Sequence, residues 1–173
     1  MINDKELAKE FNQIIEQNKG ILFKVVKTYC KNNEDRQDLL QEIMIQIWKS
    51  LHKYNSLYAI TTWLYRISLN VAISFYRKDL NRKNLNTPLI EEVISIYDEE
   101  GNEKQEQLNL LNKFISELNE IDKALMLLYL ENKSYAEISE IMGLSVTNIG
   151  TKMSRIKEKL KNKFSQLNAS YHE

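Results

Sequence analysis

The chain has 173 residues, 43% of them hydrophobic and 28% charged, with only four Gly and one Pro. So few turn residues exclude sandwiches, barrels and Gly-rich phosphate-binding folds, leaving an all-helical chain with one ordinary domain or two small ones. The formal net charge is zero, which argues against a protein that holds nucleic acid by bulk electrostatics alone.

The distribution of charge says more. Residues 1–80 carry 12 basic and 9 acidic residues, residues 81–110 carry 3 and 7, and residues 111–173 carry 9 and 8. Two mildly basic segments flank an acidic one. The lone Cys30 excludes a disulfide framework and a cysteine zinc site, and it lies among core-type residues as a packed thiol. His52 and His172 are too few for a metal site or a catalytic set. No run of about 20 apolar residues predicts a membrane span. The start Met1 to Glu6 has no apolar stretch after a basic residue, so a cytoplasmic protein is expected.

In chain order, Asn3 or Asp4 can cap a first helix carrying Leu7, Phe11, Ile14 and Ile15, with Gly20 expected to break it. A second helix carries Ile21, Leu22, Val25, Val26 and Tyr29, and Asn32-Asn33 signals a loop. A third runs from near Asp35 to His52 with Leu39, Ile43, Ile47 and Leu51 as its seam. Lys53 to Ala59 reads as a loop. A fourth helix, from about Thr61 to Asn81, is rich in large residues such as Trp63, Ile67, Val71 and Phe75. These four helices suffice for one compact core.

From about Leu85 to Glu106 no stable period holds. This stretch contains Pro88 and the run Asp98-Glu99-Glu100-Gly101-Asn102-Glu103, and it reads as a flexible acidic linker. Beyond it, Leu108, Leu111, Phe114, Ile115 and Leu118 form a helix, and Asn119 to Asp122 can cap the next. Ser134-Tyr135-Ala136-Glu137 is a Ser-x-x-Glu capping box, Gly143 suits a left-handed helix end, and Ser145 can cap a last helix to about Phe164. A short helix, a Gly turn and a longer helix outline a helix-turn-helix.

On that last helix, Ile149, Met153, Ile156 and Leu160 form the side to be buried. Thr147, Asn148, Thr151, Lys152 and Arg155 lie opposite. Short hydrogen-bonding groups followed by cations suit base edges and phosphates. Gly150 is expected to let the backbone approach DNA. On the fourth helix, Trp63, Tyr65, Phe75 and Tyr76 with Arg66, Arg77 and Lys78 combine aromatic and cationic groups, as single-stranded bases require. Trp63 follows core spacing and reads as core before platform. Tyr54, Tyr58, Arg66 and Asn70 are the better candidates for exposure. Asp38, Gln41, Glu42 and Ile45 share a mixed face of the third helix, read either as a dipole-favoured helix start or as a partner surface. No nucleophile–base pair, paired carboxylate or phosphate loop stands out, so neither catalysis nor a cofactor is expected.

Asp38-Leu39-Leu40-Gln41-Glu42, Ile47-Trp48 and Thr62 through Ile73 resemble region 2 of bacterial sigma-70 family factors. Asn119 through Leu130, then Ser134 through Ser145 and the following helix, resemble region 4. With only a linker between them, the chain is similar to the extracytoplasmic-function (ECF) subgroup. The resemblance implies a region 2 domain over 1–84, a linker over 85–107 and a region 4 domain over 108–173. It implies binding to core RNA polymerase, through its largest and second-largest subunits, and to promoter DNA, with an anti-sigma factor a common further partner. It assigns polymerase docking to Asp38, Leu39, Gln41, Glu42, Ile45 and Trp48. Capture and melting at the −10 element fall to Tyr54, Asn55, Ser56, Tyr58, Thr62, Trp63, Arg66, Asn70, Arg77 and Lys78. Reading of the −35 element falls to Ser145, Thr147, Asn148, Thr151, Lys152 and Arg155. The linker is expected to enter the polymerase channel, or to shield the cations from Lys152 to Lys163. From the residues alone, a freestanding helix-turn-helix regulator and a helical protein-binding adaptor stay open as alternatives.

Overall fold

The computed structural model describes residues 4–85 and 103–170, and among them every regular element is a helix. In chain order these are α1 (Asp4–Tyr29), α2 (Asn33–Leu51), α3 (Ile60–Leu85), α4 (Glu103–Ser116), α5 (Glu120–Leu130), α6 (Tyr135–Met142) and α7 (Val146–Ser170). The run Asp98 to Asn102, and with it most of the expected linker, lies outside the described residues.

The first three helices pack on one another as a bundle. Where four helices were expected there are three, because α1 runs unbroken through Gly20. A glycine inside a helix costs about 1 kcal/mol relative to Ala. Phe11, Ile14 and Ile15 before it and Leu22, Val25, Val26 and Tyr29 after it keep one apolar face against the same core, and burying several such side chains outweighs that cost. α2 starts two residues earlier than expected. Asn32 is its N-cap, and the Asn32 side chain accepts from the Asp35 amide at 2.7 Å.

The second unit has the local features its sequence calls for. Asn119 caps α5 by accepting from the amides of Ile121 and Asp122. Ser134 caps α6 in a full capping box, the Glu137 carboxylate accepting from the Ser134 amide at 2.8 Å. Gly143 ends α6 at φ 69°, in the left-handed region. Ile149, Met153, Ile156 and Leu160 of α7 are buried against α5 and α6.

The two bundles do not stand apart. α1 touches α5, and α3 touches both α5 and α6. The buried side chains of both halves form one continuous cluster.

Candidate functional site

Three surfaces gather the residues singled out above. The first is α2. Its buried seam, Leu39, Ile43, Ile47 and Leu51, faces the core. One position further round the helix, Leu40, Met44 and Trp48 repeat every four residues as a second, half-open apolar stripe. With Phe11, Gln37, Gln41 and Ile45 they line a shallow groove of about 380 Å³ whose walls are almost wholly apolar. The Phe11 ring meets the Trp48 indole edge-on at 5.3 Å. Asp38, Gln41 and Glu42 are exposed, as are Ile45 (43%) and Trp48 (39%). Leu39 is a correction: it is 0% exposed and belongs to the core, so it has no side-chain surface to offer a partner. Phe11, Leu40 and Met44 were missed. The spacing Leu40, Met44, Trp48 was the available signal, overshadowed by the stronger seam beside it.

The second surface is the loop between α2 and α3. Tyr54 donates its phenol to the Tyr58 carbonyl at 2.9 Å, and the Leu57 amide donates to Asn55 Oδ1 at 3.2 Å. Ser56 sits at φ 59°, a left-handed conformation uncommon outside glycine. The loop is thus cross-braced. Tyr54 rests on Trp63 with ring centroids 5.0 Å apart, so the half-buried indole serves as the floor of the loop. Asn55, Ser56 and Tyr58 are exposed, and Leu57 at the tip is 76% exposed. Arg66 places its guanidinium 4.9 Å from the centroid of the Tyr58 ring. Asn70 and Lys78 are exposed, and Arg77 pairs with Glu120 at 2.7 Å. Thr62 is the second correction: it is buried in the first turn of α3, so its side chain offers no open surface. Tyr65 is buried too, and its phenol is pushed up to about 12 by burial and then by the charge of Glu131.

The third surface is the start of α7. Ser145 accepts from the Asn148 amide at 3.2 Å and so caps the helix. Thr147, Asn148, Thr151 and Arg155 are exposed and Lys152 is half-buried. Thr151 donates its hydroxyl to the Thr147 carbonyl at 3.1 Å. A Cβ at Gly150 would point toward the Tyr135 ring at 3.8 Å. Gly150 thus lies, half-buried, beside the first residue of α6.

Among the described residues no group of three His, Cys, Asp or Glu side chains could hold a metal ion, and no helix is long and apolar enough to cross a membrane.

These surfaces define an all-helical protein with a helix-turn-helix in its second unit and an aromatic loop beside an apolar groove in its first. Comparison with known families agrees with that order. Sigma-70 region 2 matches residues 14–82, and Sigma-70, region 4 matches residues 108–160. The chain is 26% identical over 141 residues to the ECF RNA polymerase sigma factor SigM of Bacillus subtilis, covering 81% of this chain and 86% of that one. It is 26% identical over 171 residues to the ECF RNA polymerase sigma-E factor of Haemophilus influenzae, covering 92% and 89%. Among solved structures, sigma factor RpoE of Bartonella quintana, in complex with the anti-sigma factor NepR, superposes with a TM-score of 0.70 at 18% identity over 91% of this chain and 98% of that one. CnrH, in complex with the cytosolic domain of CnrY, superposes with a TM-score of 0.65 at 17% identity over 92% and 90%. The chain belongs to the sigma-70 family, and to its ECF subgroup.

Proposed function

We propose that this chain is an RNA polymerase sigma factor that works by binding and not by catalysis, acting in the cytoplasm. One observation carries the reading. The open apolar groove of Phe11, Leu40, Met44, Ile45 and Trp48 occurs in the same chain as a helix-turn-helix. A freestanding DNA reader has no task for that groove, whereas a subunit that rides on a larger machine does.

The three surfaces then divide the work. The groove, rimmed by Asp38, Gln41 and Glu42, docks on core polymerase. The braced loop from Tyr54 to Tyr58, with Arg66 and Asn70, receives unpaired bases of the −10 element. Separating duplex DNA costs a few kcal/mol for each unstacked step. A loop already held by its own hydrogen bonds loses little entropy on capturing a base, so more of the contact energy offsets that cost. Trp63 supports the loop from below. The first turns of α7 read the −35 groove with Thr147, Asn148 and Thr151, while Lys152 and Arg155 meet phosphates. Because the chain is neutral, few counterions are released on duplex binding, and free DNA is held weakly without polymerase. An inhibitory protein partner of the kind seen with the structural neighbours would cover the groove.

Run-off transcription tests the reading. Core polymerase with this chain is expected to yield transcripts from discrete start sites, and core polymerase alone none. A specific shift of naked duplex without any stimulated transcription overturns it in favour of a freestanding regulator.

A further inference from the structure

Among the described residues Leu57 is the most exposed large apolar side chain, at 76%, and it takes no part in the core cluster. A single exposed leucine is ordinary. Leu57 differs because the backbone on either side of it is tied down. Its own amide donates to Asn55 Oδ1 at 3.2 Å. Ser56 before it is held at φ 59°, a conformation that costs energy for a residue with a side chain. Tyr58 after it has its carbonyl fixed by the Tyr54 phenol at 2.9 Å, and its ring lies 4.9 Å from the Arg66 guanidinium. The Tyr54 ring in turn rests on Trp63. The loop thus holds an apolar tip in water at a fixed place.

The surroundings say what covers that tip. From Ile43 to Lys78 the chain carries five cations, Lys49, Lys53, Arg66, Arg77 and Lys78, and no acidic residue. The whole chain has 24 residues of each sign, so this excess is local. Lys53 is exposed at the foot of the loop. The occupant is therefore an anion that also offers apolar faces. An opened DNA strand has both, in its phosphates and its bases. Shape narrows the choice further. Asn55 through Ala59 are all exposed, so the tip is convex. It cannot wrap a base, but it can enter the gap between two.

We propose that Leu57 is a wedge: its side chain enters the base stack at the −10 element and fills the gap left when the neighbouring base turns out toward Tyr58 and Arg66. The proposal rests on the reading that this loop meets the −10 element. Unstacking bares two base faces to water, and a leucine in the gap covers them while burying its own surface. Closed duplex offers no such contact, so the gain goes wholly to the opened state. A wedge on a loose loop would lose part of that gain in ordering the loop. The braces from Tyr54, Asn55 and Ser56 remove that loss, which makes them positioning residues for Leu57. Leucine has no side-chain hydrogen-bonding group, so it favours opening without choosing a base.

The test uses the full chain with core polymerase, on a promoter located by run-off transcription and carrying 2-aminopurine in its −10 element. Leu57→Ser is expected to reduce opening of the closed duplex about 10- to 100-fold, as loss of one buried leucine implies. On the same promoter with the −10 segment already mismatched, Leu57→Ser should come close to wild type. Leu57→Met should keep most of the opening on both templates. The side chain lies outside the core, so the urea midpoint of Leu57→Ser should match wild type. Equal opening of the duplex by Leu57→Ser and wild type overturns the wedge. So does an equal loss on duplex and mismatched templates, since a wedge is needed only where bases must still be parted. A wild-type chain that gives no transcript from either template strikes the sigma-factor reading, and the wedge with it. Wild-type activity beside an unaffected Leu57→Ser strikes the wedge alone.

Discussion

Tyr29, at the end of α1, donates its phenol to the backbone carbonyl of Glu120, in the first turn of α5, across 91 positions of chain. Burial, reinforced by the nearby Glu120 carboxylate, raises the phenol pKa far above its ordinary value, so it stays a neutral donor throughout the working range. Its ring also meets Tyr76 edge-on at 6.0 Å. Tyr29→Phe keeps the ring contact and removes the hydrogen bond. The expected loss is about 1 kcal/mol, read as a lower urea midpoint with little change in slope.

Core and partner surface alternate along α2, and truncation separates them. Leu39→Ala should cost about 2–5 kcal/mol of stability, because a fully buried side chain leaves a cavity. Trp48→Ala, on the open side of the groove, should cost far less stability and weaken association with core polymerase at least tenfold. Urea unfolding and a polymerase pull-down, run on both variants, distinguish the two roles. Equal polymerase binding by Trp48→Ala and wild type would remove the groove from the docking surface.

Gly150 offers a test of which way α7 faces. A methyl group added there meets Tyr135 at ordinary contact distance, and alanine favours a helix by up to about 1 kcal/mol over glycine. Gly150→Ala should therefore preserve or raise thermal stability and leave −35-dependent transcription intact. A selective loss of transcription would return this position to the DNA side of the helix.

Acid should loosen two local structures. The hydrogen bond from Arg77 holds the Glu120 carboxyl below the ordinary carboxylate value of 4.5. Hydrogen bonds from Ser134, the backbone amide first, do the same for Glu137. A carboxyl with a lower pKa folded than unfolded stabilises the fold above about pH 4.5, and that contribution is lost as the pH falls through the folded-state value. Urea midpoints are expected to hold near neutrality and to decline below pH 4.5. Glu120→Gln and Glu137→Gln should start lower at neutral pH and decline less on acidification.

What was legible in the sequence is what short-range physics decides. The Ser134–Glu137 capping box, the left-handed Gly143, the Asn119 cap and the buried stripe of α7 each depend on residues within a few positions of one another. The composition, poor in Gly and Pro, left helices as the simplest outcome. Periodicity also marked out the mixed outer face of α2 and the polar outer face of α7.

Tertiary structure decided everything that depends on what a helix packs against. It carried α1 through Gly20, because a shared core on both sides outweighs the propensity of one residue. It sent Thr62 inward, and it set Gly150 beside Tyr135. It also set α5 and α6 against α1 and α3, bringing Lys24 to Glu131 and Arg66 to Glu140. Those partners lie 107 and 74 positions apart. No local pattern encodes such a pairing, since it depends on the shapes and charges of two surfaces that exist only after each bundle has folded.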